Sequence, residues 1–212
     1  MDASELAWPF FEAHHADEAR ALHAWLGAAP RALLEPDDER PDTVYGGVRQ
    51  LVAALGGAGL LRACVPAAYG GLHPQVEVRS LCLARETLAQ ASALADFAFA
   101  MQGLGSAPIA LFGREDQKRA ILPAIGSGTR IGACALSEPD AGSDVAAIST
   151  TAARTGDGWR LDGVKTWISN AGLASQYVVF ARTGEGPGTQ GLSAFIVEAH
   201  TPVTCPGFSV HS

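Results

Sequence analysis

No two of the four cysteines, Cys64, Cys82, Cys134 and Cys205, form a C-x-x-C pair in this chain of 212 residues. That excludes a zinc ribbon or a dithiol redox centre, and the four read as reduced thiols, mostly buried. Metal-ligand spacing is missing among the six histidines: His14 and His15 are neighbours, and neighbours on a helix point to different faces. Basic residues are few and scattered, 15 against 22 acidic ones, and the resulting net charge of −7 argues against a nucleic-acid partner. No window reaches the roughly 18 uninterrupted apolar residues of a membrane-spanning helix. The opening residues, Met1 to Glu5, are acidic and lack the basic region and apolar core of a secretory signal, which makes the cytoplasm the expected compartment. Charged residues are only 17% against 48% hydrophobic, so the composition is that of a folded, core-forming chain.

What is present changes character near residue 129. Before it, apolar residues recur at helical spacing. Val48, Leu51, Val52 and Leu55 fit i, i+3, i+4, i+7, with Gly56-Gly57 as a stop. Residues 76–91 and 92–104 give two Ala- and Leu-rich helical patterns. Ser106-Ala107-Pro108 reads as a cap with proline in the first turn, starting a further helix that ends at Gly113. A short helix over 114–122 is closed by Pro123, and two weaker helical stretches lie around 4–27. Between them, residues 30–42, with three prolines and several acids, read as an exposed connection.

After residue 129 the texture is β. Strands are predicted at 131–136, 149–155, 159–161, 164–168, 176–182 and 191–197, with Gly156-Asp157-Gly158 as a hairpin turn. The expected organisation is α+β, with an all-helical domain over 1–128 followed by an antiparallel β domain over 129–212.

Two stretches could carry chemistry. Ala135-Leu136-Ser137-Glu138-Pro139-Asp140-Ala141-Gly142-Ser143-Asp144 follows a strand and offers hydroxyls, a run of backbone N–H groups and a glycine. Such a turn can place several donors on one anion, with Gly142 letting the backbone come close. Ordinary turn chemistry uses the same residues. In Gly163-Val164-Lys165-Thr166-Trp167-Ile168-Ser169-Asn170, a ring and a hydroxyl two positions apart share one side of a strand. The pair could stack on a flat ligand and bond its edge; a core Trp beside a surface Ser is the commoner arrangement.

Taken together, in this order and around a Gly-Asp-Gly-Trp hairpin, the two stretches resemble the acyl-CoA dehydrogenase family, whose motifs run [ST]-E-P-x-A-G-S-D and K-x-W-I-[ST]-N. Pro66-Ala67-Ala68-Tyr69-Gly70-Gly71, Gln117-Lys118 with Leu122-Pro123, and Gly191-Leu192-Ser193-Ala194-Phe195 with Val197-Glu198 extend the likeness from about residue 45 onward.

The resemblance implies an FAD site lined by Cys134, Leu136, Ser137, Gly142, Ser143, Trp167, Ile168 and Ser169. Ser137 would bond the pyrimidine side of the flavin, and Gly142 and Ser143 would approach the diphosphate. Ser143 would also contact the acyl-CoA substrate. Trp167 would pack on the flavin face opposite that substrate, and Ser169, where Thr is usual, would bond near N5. Glu138 and Asp144 would organise the turn without a catalytic role. The implied reaction is α,β-dehydrogenation of an acyl thioester to a trans-2-enoyl-CoA: a carboxylate takes the α-proton as a hydride leaves the β-carbon, and an electron-transferring flavoprotein receives the electrons.

Family members continue into a helical bundle that supplies the base and much of a dimer or tetramer interface. The chain is therefore expected to be an incomplete portion that holds FAD weakly, with Pro206-Gly207-Phe208 inside an unfinished β domain and no catalytic or metal-ligating residue of its own. Gln102-Gly103-Leu104-Gly105 is expected near the acyl chain or at a close helix contact. An acyl-CoA oxidase, a flavin monooxygenase of the same fold and a non-catalytic remnant that binds a partner chain are the alternatives.

Overall fold

The computed structural model describes residues 5–35, 38, 40–184, 186–198 and 208–210. The chain divides into two compact units, Met1–Ile131 and Gly132–Ser212. In the first, a 3-10 turn at Glu5–Ala7 precedes α1 (Ala13–Ala28), α2 (Arg31–Leu34), α3 (Pro41–Gly57), α4 (Val78–Ala91), α5 (Ala93–Phe112) and α6 (Glu115–Gly126). The apolar stripe of α3 does what its spacing dictates: Val48, Leu51, Val52 and Leu55 are all buried, each contributing about 1.5–3 kcal/mol by leaving water. None of the described residues in 30–42 is buried, as expected of an exposed connection, but part of that stretch is helical: α2 and the first turn of α3 occupy it.

Both prolines read as helix boundaries lie inside helices. Pro108 sits within α5, which runs unbroken from Ala93 to Phe112, and Pro123 within α6. Each leaves one carbonyl four residues earlier without its helical donor, at Leu104 and Arg119. Both residues are exposed, where solvent can serve those oxygens. The cap of α5 is Ser92, whose hydroxyl accepts from Ala95 N–H at 3.1 Å. Ser106 is buried, its hydroxyl donating to the carbonyls of Cys64 and Gly103.

Helix α5 is long and apolar enough, by length and composition, to cross a membrane. The uninterrupted-run criterion passed over it because polar residues break its sequence. It packs against α3, α4 and α6, Asp96 is paired with Arg85 of α4, and Gln102 is fully buried with its Nε2 donating to Arg130 O. Those contacts make it the central helix of this unit.

The second unit is a five-stranded sheet: β1 (Gly132–Ala135), β2 (Thr151–Thr155), β3 (Gly158–Asp162), β4 (Gln176–Arg182) and β5 (Leu192–Glu198). It is mixed rather than wholly antiparallel. β4 pairs with β5 antiparallel over its full length, and with β1 parallel from Gly132 opposite Gln176 to Ala135 opposite Val179. β2 and β3 form the hairpin, closed by Gly156 and Asp157, and Thr151 joins β2 to the end of β4 at Arg182. No strand forms at 164–168. Cys205, Pro206 and Gly207 lie outside the described residues; the Phe208 ring meets that of Tyr177 at a tilt of 57°, with ring centres 5.1 Å apart.

Candidate functional site

β1 carries Cys134 and Ala135 to Leu136 and Ser137, and a tight turn follows. Glu138 N–H donates to Ala141 O at 2.8 Å, and Ala141 N–H returns to Glu138 O at 3.2 Å. The Glu138 side chain folds inward. Its carboxylate accepts from Ser149 N–H and Oγ at 2.7 Å each, from Thr150 N–H at 2.9 Å and from Lys165 Nζ at 2.8 Å. Burial pushes this carboxyl upward, but the Lys165 ammonium together with Thr150 and Ser149 outweighs it, leaving the group well below the ordinary carboxylate range. Glu138 is thus an ionised anchor with its oxygens occupied. Asp144 has an equally local duty, accepting from Ala146 N–H at 3.1 Å to cap the 3-10 turn Val145–Ala147.

Lys165 ties the second stretch to the first, donating to Leu136 O at 3.0 Å as well as to Glu138. Thr166 N–H donates to Ser137 O at 3.0 Å, and Asn170 Nδ2 to Gly132 O at 3.1 Å. These anchors lay residues 165–170 alongside β1, running backwards from Ser137 to Gly132. Cys134, Leu136 and Ser137 therefore share one neighbourhood with Trp167, Ile168 and Ser169.

The segment between the anchors is irregular because two residues in it leave the pleat. Trp167 has φ 56° and Asn170 φ 63°, the left-handed region that side chains other than glycine seldom adopt. Asparagine tolerates that region through local hydrogen bonding; tryptophan does not gain in that way. The strand-alternation argument for placing Trp167 and Ser169 on one face consequently fails, and the turn sets their positions instead.

Trp167 is 92% exposed. Among the described residues its indole N–H makes no hydrogen bond, and neither do the hydroxyls of Ser137, Ser143 and Ser169. Asn170 Oδ1 is buried without a partner among them as well. A Cβ added to Gly142 would meet nothing within 4 Å, so this glycine has no packing reason of its own. Gly163 differs: a Cβ there would fall 2.7 Å from Thr150 Cα, so the fold itself requires it. Cys134 is half-buried, and burial raises its thiol pKa despite the nearby Lys165 charge, the opposite of what activates a nucleophilic thiol. A flat aromatic surface, three unpaired hydroxyls and an open backbone turn fit a large planar ligand that also carries phosphate.

Lys165 and Asn170 carry structural duties that their residue types alone do not announce. The Glu138–Lys165 pair was legible only as opposite charges at a distance, and the left-handed Asn170 only as a turn-former.

Comparison with known proteins places both units in one family. Residues 17–129 match the family model described as acyl-CoA dehydrogenase, N-terminal domain, and residues 133–212 that described as acyl-CoA dehydrogenase, middle domain. The chain belongs to the acyl-CoA dehydrogenase family. It is 38% identical to an acyl-CoA dehydrogenase of Bacillus subtilis over 86% of this chain and 45% of that one. It is 41% identical to the human mitochondrial short-chain specific acyl-CoA dehydrogenase over 71% of this chain and 36% of the relative. A glutaryl-CoA dehydrogenase from Mycobacterium smegmatis, solved in complex with FADH2, superposes with a TM-score of 0.76 at 28% identity, covering 99% of this chain and 50% of that one. The chain thus spans about half the length of the proteins it resembles.

Proposed function

We propose that this chain forms the FAD-binding part of an acyl-CoA dehydrogenase. The observation that carries the reading is Trp167: a large ring held in a left-handed conformation, almost wholly in solvent, beside the first motif. When bound, FAD supplies the two-electron oxidant for α,β-dehydrogenation of an acyl-CoA thioester to the trans-2-enoyl-CoA. Trp167 offers a face for the isoalloxazine, and the anchors at Lys165, Thr166 and Asn170 hold that face still. Ser137 and Ser169 present hydroxyls to the ring's polar edge, with Cys134, Leu136 and Ile168 lining the neighbourhood. The turn at Gly142 and Ser143 leaves its backbone open to a diphosphate, and Ser143 is also the residue assigned to the acyl-CoA. Glu138 has no free oxygen with which to accept a proton, so the base comes from elsewhere. An electron-transferring flavoprotein as electron acceptor, assembly into a dimer or tetramer and a cytoplasmic location belong to the same reading.

The test uses the protein expressed from its native reading frame, assayed with a series of acyl-CoA thioesters and an artificial electron acceptor. The expected result is bound FAD and a trans-2-enoyl-CoA product. Hydrogen peroxide formed in step with turnover would move the reading to an oxidase. A protein that retains no flavin and turns over no thioester would overturn it.

A further inference from the structure

The helical unit gathers a second group of polar side chains that the flavin site does not use. His14 and Glu18 are four residues apart on α1 and so lie on one face. His73 reaches that face from the turn ahead of α4. The turn is tightly held: Ala67 N–H donates to His73 O at 2.7 Å, and Arg62 donates to the carbonyls of Gly70 and Gly71.

One ring nitrogen from each histidine and one carboxylate oxygen of Glu18 all lie within 4.8 Å of one another. His73 Nε2 is 2.7 Å from Glu18 Oε1, and the His14 and His73 rings are 4.8 Å apart, centre to centre. His14 Nε2 is buried and makes no hydrogen bond among the described residues. Such a nitrogen is a polar atom withdrawn from water with no partner to bond.

His15, next in sequence, has a different task. Its Nδ1 accepts from Glu12 N–H at 2.9 Å and its Nε2–H donates to Glu77 at 3.2 Å, so both nitrogens are engaged. The two adjacent rings do not diverge as helix geometry suggested; they stack with centres 3.9 Å apart.

We propose that His14, Glu18 and His73 form a binding site for a divalent cation of the zinc class, cross-linking α1 to the turn ahead of α4. Two imidazoles and one carboxylate suit Zn²⁺, whereas Mg²⁺ and Ca²⁺ take oxygen donors. The cation takes the place of the hydrogen bond between His73 and Glu18 and engages the unused His14 nitrogen. Glu12 Oε2 lies 3.7 Å from His14 Nδ1, where it can orient the ring as carboxylates do behind metal-bound histidines. Metal bonds of about 2.1 Å in a tetrahedron set the ligand atoms roughly 3.4 Å apart, so His73 and Glu18 open slightly while His14 draws in, and water completes the tetrahedron. The His14 side chain, 35% exposed, has room for that movement.

After chelator treatment and dialysis, the purified chain is titrated with Co²⁺, followed by its visible absorption, and with Zn²⁺ by calorimetry. One ion per chain and a Zn²⁺-dependent rise in unfolding temperature are expected. His14→Gln and His73→Gln each lower the affinity about a hundredfold or more, beyond what loss of an outer-shell group does. His23→Gln, on the same helix and outside the group, leaves it unchanged. Should His73→Gln disturb the turn, His14→Gln alone decides, since its ring is partly in solvent. Absence of binding, or binding that survives His14→Gln, would overturn the proposal.

Discussion

Trp167 bears two unfavourable terms together, a left-handed backbone and an exposed ring. The first costs a residue other than glycine about 1–2 kcal/mol, and strain of this kind persists where a ligand uses it. Replacing Trp167 by Gly removes both terms, offset in part by the greater freedom of glycine in the unfolded chain. We therefore expect Trp167→Gly to unfold at the same or slightly higher denaturant concentration, a gain of up to about 1 kcal/mol, while flavin retention falls at least tenfold. A variant that loses stability and keeps its flavin would show that the ring serves packing instead. The residue types at this site could be read from the sequence. The left-handed turn that presents them could not, because no short pattern marks a tryptophan for positive φ.

At the level of elements, the sheet holds the two motif stretches together through Glu138 and Lys165, whose side chains are only 3% and 11% exposed. Removing one partner of such a pair leaves a buried charge uncompensated, and Glu138→Gln is expected to cost about 3–5 kcal/mol in urea unfolding. Adding Lys165→Met should recover part of that loss, since the orphaned ammonium goes with it.

The same carboxylate sets a pH dependence. In the folded chain Glu138 lies well below the ordinary carboxylate value, and Glu77 is held at about 2: burial raises it, but Arg79, Ser80 and His15 together prevail. A carboxyl depressed by folding stabilises fully above its unfolded value, near 4.5 here, and progressively less as pH falls towards its folded value. Stability should be flat above about pH 5 and fall below it, with a shallower fall in Glu138→Gln; a profile unaltered by that substitution would contradict the assignment.

Helix periodicity was a sound guide where apolar spacing was regular, as in α3, and both interior prolines misled it. Proline removes one helical hydrogen bond, a loss the chain tolerates in α5 and α6 where the freed carbonyl belongs to an exposed residue. The strands β1 to β5 lie close to the stretches expected for them, with the Gly-Asp-Gly turn between β2 and β3. The parallel pairing of β1 with β4 joins residues more than forty positions apart, and local pattern carries no record of such a partner.

For the molecule as a whole, family membership rests on both units: the helical one matches the N-terminal domain and the sheet the middle domain. The polar group at His14, Glu18 and His73 lies in the helical unit, and the exposed Trp167 in the other. Each can therefore be altered without touching the residues of the other, and loss of one function need not report loss of fold.

Whether Trp167 is a platform for a flavin can be read from tryptophan emission. FAD is titrated into the protein expressed from its native reading frame, and into its Trp167→Phe variant, and the difference between the two emission spectra isolates Trp167. The expected difference spectrum is that of a solvent-exposed indole, quenched as FAD binds. A difference spectrum that FAD leaves unchanged, in a protein shown by its absorbance to have bound the flavin, would contradict it.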